Sequence, residues 1–220
     1  MTANLTNIEC DFVPQSAYAF TQDDKYVNQI SDEVKAASSL GINASYVEEI
    51  PFSIPIKGAV RFDDQVQFHP LKFLHPLAQK LKDGGIQIFE QSRVIDIEED
   101  GNYVLFTNHG KKVLAEKVII ASHYPFYNKH GLYFGRIYTE RSYSLAIKVK
   151  EKYPGGMYIN VEEPARSLRN QMSDQGELII VGGDHHKTGQ GEDTILHYEA
   201  LRDFANTVFI VEDYPYRWST

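Results

Sequence analysis

Apolar side chains return every three or four positions between residues 27 and 40, at Val27, Ile30, Val34, Ala37 and Leu40, and Gly41 follows. That period draws one apolar stripe along an α-helix, and a glycine just beyond it is a common stop. A second stripe, Leu71, Leu74, Leu77, Ala78 and Leu81, predicts a helix closed by Gly84-Gly85. Pro70 suits its first position, where the missing N–H has no partner to lose. Pro76 lies early in the same stripe and removes one backbone bond, so an irregular first turn is expected. A third stripe, Ile195, Tyr198, Leu201, Phe204 and Ala205, predicts a helix over 192–208.

Elsewhere the period is two, as in strands. Residues 9–20 read as two short strands broken at Pro14, which cannot donate to a ladder. Pro51 and Pro55 force extended or turn backbone, and GAVRF (58–62) reads as a strand. IQIF (86–89) is a short apolar strand, and RVIDIEED (93–100) alternates. Turns at Asp100-Gly101 and His109-Gly110 make this stretch a three-stranded meander. VIIA (118–121) is apolar throughout, as a strand covered on both faces requires. RSYSLAIKVK (141–150), GGMYINVEE (155–163) and GELIIVGGDH (176–185) are further strands. FIVEDYPYRWST (209–220) is strand-like with no stop signal, so an exposed edge is expected there. The fold class is α+β.

The 220 residues suffice for one sizeable domain or two small ones, and 42% hydrophobic with 24% charged residues is an ordinary globular composition. A net charge of -8 disfavours nucleic acid and anionic lipid as partners. No apolar run nears the ~18 residues that span a membrane. MTANLTNIECDF has no basic segment before an apolar core, so no secretory leader is expected. Cys10, the only cysteine, excludes internal disulfides and argues against a zinc ribbon or iron–sulfur site in these residues; the cytoplasm is the expected compartment.

Several residues invite chemistry. Asp184-His185-His186 with His197 suggests metal ligands, but adjacent histidines on a strand point to opposite faces, so no metal is expected. His69 reads as a helix cap and His75 as a solvated residue, and Cys10 lacks the basic neighbours of a reactive thiolate. The aromatic run 122–143 fits a pocket wall or a sheet cover better than a nucleic-acid platform.

The ordered set over 62–122, FDDQVQFHPLKFLHPLAQKLKDGGIQIFEQSRVIDIEEDGNYVLFTNHGKKVLAEKVIIAS, resembles the middle of the D-amino-acid-oxidase-like superfamily of FAD-dependent oxidoreductases, which includes glycine oxidase and sarcosine oxidase. ARSLRNQMSDQGELIIVGGDHH resembles that family's substrate-domain hairpin, and YPYRWST the strand leading back to the flavin domain. HKTGQ and YRWST suggest the subgroup whose members carry a Rieske [2Fe–2S] domain.

The resemblance implies a mixed, mainly antiparallel substrate-domain sheet with helices, in two parts, 1–57 and 125–220. Residues 58–124 would be a FAD-domain segment of helix, meander and strand. Val94 would offer its backbone to the adenine edge, and Ala121, Ser122 and His123 would approach the cofactor, His123 standing where the family usually has glycine. Tyr158 and Arg169 would hold a substrate carboxylate, through a hydroxyl and a guanidinium. No catalytic residue is assigned.

The fingerprint G-x-G-x-x-G, which cradles a dinucleotide pyrophosphate, does not occur. The chain is therefore expected to be an internal portion of a flavoenzyme, inactive alone and without FAD of its own. Its parent would oxidise an amine or amino acid by hydride transfer to flavin, and its cut edges would favour self-association. Two alternatives are a non-enzymatic α+β binding domain, which should cover Trp218, and a flavin electron-transfer protein coupled to a Rieske centre.

Overall fold

The computed structural model describes residues 7–129, 131–191 and 193–220. The chain forms two compact units, one of residues 1–73 and 139–220 and one of residues 74–138. The strand opening at Gly58 pairs with the amino-terminal strand along its whole length.

The first unit is built on an eight-stranded mixed sheet in the order β11-β7-β10-β9-β8-β1-β3-β2. Its strands are β1 (Val13–Thr21), β2 (Ala44–Val47), β3 (Gly58–Gln67), β7 (Glu140–Val149), β8 (Met157–Asn160), β9 (Arg166–Ser173), β10 (Gly176–Lys187) and β11 (Val211–Ser219). All neighbours are antiparallel except β1 and β8. Helix α1 (Val27–Ser39) packs on β1, β2 and β3, and helix α3 (Thr194–Val208) on β7, β10 and β11. Gly41 follows α1 at φ 76°, the left-handed stop its sequence predicted. Asp193 caps α3, its side chain accepting from the Ile195 N–H at 3.0 Å.

Residues 9–20 hold one strand rather than two: β1 opens at Val13, and residues 9–12 before it lack regular structure. Pro14 pairs with Val66 of β3, while β8 joins the other edge only from Ala17 onward. Pro14 therefore sits where β1 has one neighbour, and the irregularity falls between Gln15 and Ala17.

One face of the sheet carries the core. Phe20, Tyr143, Leu145, Ile147, Tyr158, Leu168, Ile179 and Val181 pack there with Leu201 and Ala205 of α3 and with Phe209. Phe52 meets Tyr153, Tyr158 and Phe209 at ring distances of 4.8–5.7 Å.

Helix α2 (Pro70–Asp83) crosses the division between the units and runs unbroken through Pro76. His69 caps it, Nδ1 accepting from the Lys72 N–H at 3.4 Å. The second unit holds the three-stranded meander β4 (Val94–Asp100), β5 (Asn102–Thr107) and β6 (Lys112–Ala115). Its turns are Gly101 and Gly110, both at positive φ. IQIF and VIIA are not strands: both runs lack regular structure, and Phe89 and Ile119 are largely exposed. A continuous apolar run becomes a strand only with pairing partners, and the meander's three strands pair among themselves. No helix among the described residues is long and apolar enough to cross a membrane.

Candidate functional site

Side chains alternate across a strand, so the register of the large sheet decides what its second face presents. Trp218, Ser144, Gly182, Ser167 and Ile159 are successive cross-strand neighbours on β11, β7, β10, β9 and β8. None belongs to the core cluster. At the centre of this row a Cβ on Gly182 would come within 2.9 Å of Ser167 Oγ and 3.5 Å of Ser144 Oγ. The row is thus a shallow floor of small residues between a tryptophan and an isoleucine. Neither serine hydroxyl has a hydrogen-bond partner among the described residues.

Arg169 stands in the next row, opposite Ile180 of β10, which in turn faces Ala146. It is exposed, with no carboxylate or hydrogen-bond partner among the described residues. A guanidinium in that state has its planar fork of N–H donors available for a carboxylate.

Tyr158 lies on the other face. It is 4% exposed, stacks on Tyr18 at 4.6 Å and donates its hydroxyl to Gly155 O at 2.9 Å. Burial pushes that hydroxyl well above the ordinary phenol range. The sheet therefore separates Tyr158 from Arg169, and the tyrosine's donor is used inside the core.

In the second unit β4 is an edge strand, paired among the described residues only with β5. Arg93 O accepts from the Asn108 N–H at 2.9 Å, so its carbonyl points toward β5. Successive residues of a strand turn their backbone groups to alternate sides, which leaves the N–H and C=O of Val94 directed to the open edge. A cavity of about 500 Å³ adjoins it, lined by Phe89, Ser92, Val94, Thr107, His109 and neighbouring residues of β6. Ala121, Ser122 and His123 follow in irregular backbone. His123 holds φ 64°, and Tyr124 N–H donates back to Ser122 O at 2.7 Å, closing a tight three-residue turn. The left-handed backbone that glycine adopts freely is thus present, with a histidine in it.

Asp184-His185-His186 and His197 are arranged for packing. Asp184 accepts from Arg166 Nη2 at 2.7 Å and pairs with His197 Nδ1 at 2.6 Å. His197 stacks on both Tyr143 and His186, at 4.5 and 4.6 Å, and those two rings also meet at 5.7 Å. His185 instead meets Glu163 at 3.5 Å. No metal-binding group of three such residues occurs among the described residues. Cys10 is buried.

Sequence reading missed the Ser144–Gly182–Ser167 floor and the Arg166–Asp184–His197 chain. The alternation within each strand was visible, but the register that aligns three strands was not.

The family described as "DAO: FAD dependent oxidoreductase" matches residues 2–219. A curated relative, the putative Rieske 2Fe-2S iron-sulfur protein YhfW of Bacillus subtilis (strain 168), is 37% identical over 213 residues, which are 97% of this chain and 42% of the relative. Glycine oxidase from Geobacillus kaustophilus superposes with a TM-score of 0.79 at 15% identity, covering 99% of this chain and 61% of that one. L-proline dehydrogenase from P. horikoshii gives 0.71 at 14% identity, with 99% and 62% covered. The α+β architecture, an eight-stranded mixed sheet with a small antiparallel one, is that of the glycine oxidase fold. The chain spans under two thirds of the length of each of these proteins.

Proposed function

Because this chain belongs to the DAO family of FAD-dependent oxidoreductases, we propose that the open face of its large sheet is the substrate side of an enzyme that oxidises an amine or amino acid. The observation that carries this reading is Arg169, an unpaired guanidinium beside a floor of small residues. Its N–H fork would take the substrate carboxylate in two parallel bonds. The Ser144 and Ser167 hydroxyls would meet polar groups of the bound molecule, and Trp218 and Ile159 would exclude water at its flanks. Tyr158, with its hydroxyl on Gly155, would hold the backbone before β8 rather than the substrate.

FAD, when bound, supplies hydride acceptance. Residues of the second unit fit part of it. The free N–H and C=O of Val94 match the donor–acceptor edge of adenine, and the adjoining cavity accepts a ring. Ala121, Ser122 and His123 would approach the cofactor at a turn with glycine-like backbone. The pyrophosphate cradle would come from residues outside these 220, so this chain alone would be inactive. A Rieske centre in the parent would serve as electron partner, a reading supported by the name of the curated relative. A closed binding domain fits less well, since Trp218 stays 36% exposed on the open face.

The test is Arg169→Gln in the full-length flavoprotein. It should raise KM for a carboxylate-bearing substrate roughly tenfold or more, the size expected for a lost charge-assisted bond, while kcat changes less. The KM of a carboxylate-free amine should not move. Equal loss on both substrates, or none on either, overturns the assignment.

A further inference from the structure

A second cavity lies on the core side of the sheet, at the seam between α3 and β11. Arg202 of α3 lies over the ring of Tyr214 of β11, its guanidinium carbon 4.7 Å from the centroid. Arg217 of β11 lies over the ring of Tyr198 of α3 at 5.2 Å. Each element thus lays its arginine on the other's tyrosine, and the crossing brings both guanidiniums to one seam. The rings themselves are held. Tyr214 donates its hydroxyl to Asn206 Oδ1 at 3.0 Å, and Tyr198 packs edge-on against the buried Tyr143 at 5.0 Å.

Neither arginine has a carboxylate or hydrogen-bond partner among the described residues. Stacking on a ring occupies the flat face of a guanidinium and leaves its N–H edge unused. In a chain of net charge -8, two such edges at one seam are a local reversal of sign. A cavity of about 410 Å³ opens there, lined by Leu145, Ile195, Tyr198, Glu199, Arg202, Tyr214, Pro215 and Arg217. Its lining is mixed: Leu145, Ile195, Pro215 and the two tyrosine rings give an apolar part, the two arginines a cationic part, and Glu199 is the one carboxylate among its lining residues. The register puts Arg217 opposite Leu145, a core residue, so this cavity and the face bearing Arg169 are on opposite sides of the sheet.

We propose that this cavity binds a small organic carboxylate on an apolar, ring-sized body, the carboxylate held between Arg202 and Arg217. The aromatic and aliphatic walls take the body, and the two N–H edges take the oxygens. Glu199 adds a place for an ammonium group, so the ligand is either a plain acid or the corresponding amino acid. Both share the carboxylate chemistry, and binding measurements separate them. This site does not depend on the reading of Arg169.

The experiment is a titration of the full-length protein, labelled with ¹⁵N at arginine, with 3-phenylpropionate, phenylalanine, phenethylamine or inorganic phosphate, followed through the arginine Nε–H signals. Saturable shifts of the Arg202 and Arg217 signals by phenylpropionate or phenylalanine are expected, with no such shifts from phenethylamine or phosphate. Arg202→Gln and Arg217→Gln should each weaken binding roughly tenfold or more. If phenylalanine is the tighter of the two, Glu199→Gln should erase its advantage and identify the amino acid as the ligand; if phenylpropionate is tighter, the ligand is the plain acid. Arg169→Gln should leave the Arg202 and Arg217 shifts in place, which separates this site from the substrate side. The inference is overturned if neither aromatic acid moves the two signals, if phosphate moves them as strongly, or if either arginine variant binds as tightly as the parent. Both side chains are exposed, so the variants should keep the parent's melting temperature, and one that does not is replaced by the corresponding lysine variant in the same titration.

Discussion

Replacing Asp184 asks whether the chain Arg166–Asp184–His197 fastens α3 to the sheet. The three side chains are 10%, 15% and 18% exposed, and the two contacts are 2.7 and 2.6 Å long. Asp184→Ala removes both. Arg166 then keeps one acceptor, Ala165 O at 2.9 Å from Nη1. His197 keeps none, since its Nε2 is already buried without a partner. Removing one member of a buried ion pair costs about 3–5 kcal/mol, and the surviving Arg166 bond sets this case near the lower end. Asp184 also holds φ 56°, where alanine is worse than aspartate or asparagine by about 1 kcal/mol. The sum is about 4 kcal/mol. Asp184→Asn keeps the backbone preference and an acceptor, and loses about 1–2 kcal/mol with the charge. Urea unfolding followed by circular dichroism measures both, and amide exchange along α3 should quicken in the alanine variant. An alanine cost below about 1 kcal/mol, or equal costs for the two variants, would refute the reasoning.

Two further outcomes are expected. Gly183 holds φ 135°, and a Cβ there would lie 1.9 Å from Ala165 O, so Gly183→Ala should cost about 3 kcal/mol or more; Gly101→Ala, at φ 74° in open space, should cost about 1 kcal/mol, and equal melting temperatures for the two would contradict the clash. Burial pushes the Tyr153 and Tyr158 hydroxyls well above their ordinary value near 10. The unfolded chain releases those protons first, so stability should hold below about pH 10 and fall above it; a Tyr153→Phe, Tyr158→Phe double variant should flatten the fall, and an unchanged slope would exclude these groups as its cause.

The elements set by local period were legible in the sequence. Val27 to Leu40 and Ile195 to Ala205 form helices because one face of each stripe meets a sheet. The Asp100-Gly101 and His109-Gly110 turns form hairpins because glycine accepts the left-handed backbone they need. IQIF and VIIA misled because an apolar run reports only that a segment wants cover, not that strands stand beside it. Pro14 misled because its tolerance depends on β8 joining β1 three residues later.

The candidate site divides in the same way. Arg169 and Val94 were singled out by resemblance to the family's substrate-domain hairpin and adenine-side strand; that Arg169 faces away from the core came only from the register. Tyr158 was equally plausible from its sequence, and only its pairing with Leu168 put it on the core face. By itself, the order of residues determined the helices, the hairpins and a likeness to a flavoenzyme, because periodicity and turn chemistry act over a few neighbours. Only the tertiary structure decided which side of the sheet each strand residue faces, that Gly182 lies between two serines and that Arg202 and Arg217 share a seam. Those relations join positions far apart in the chain, and strand pairing alone brings them into register.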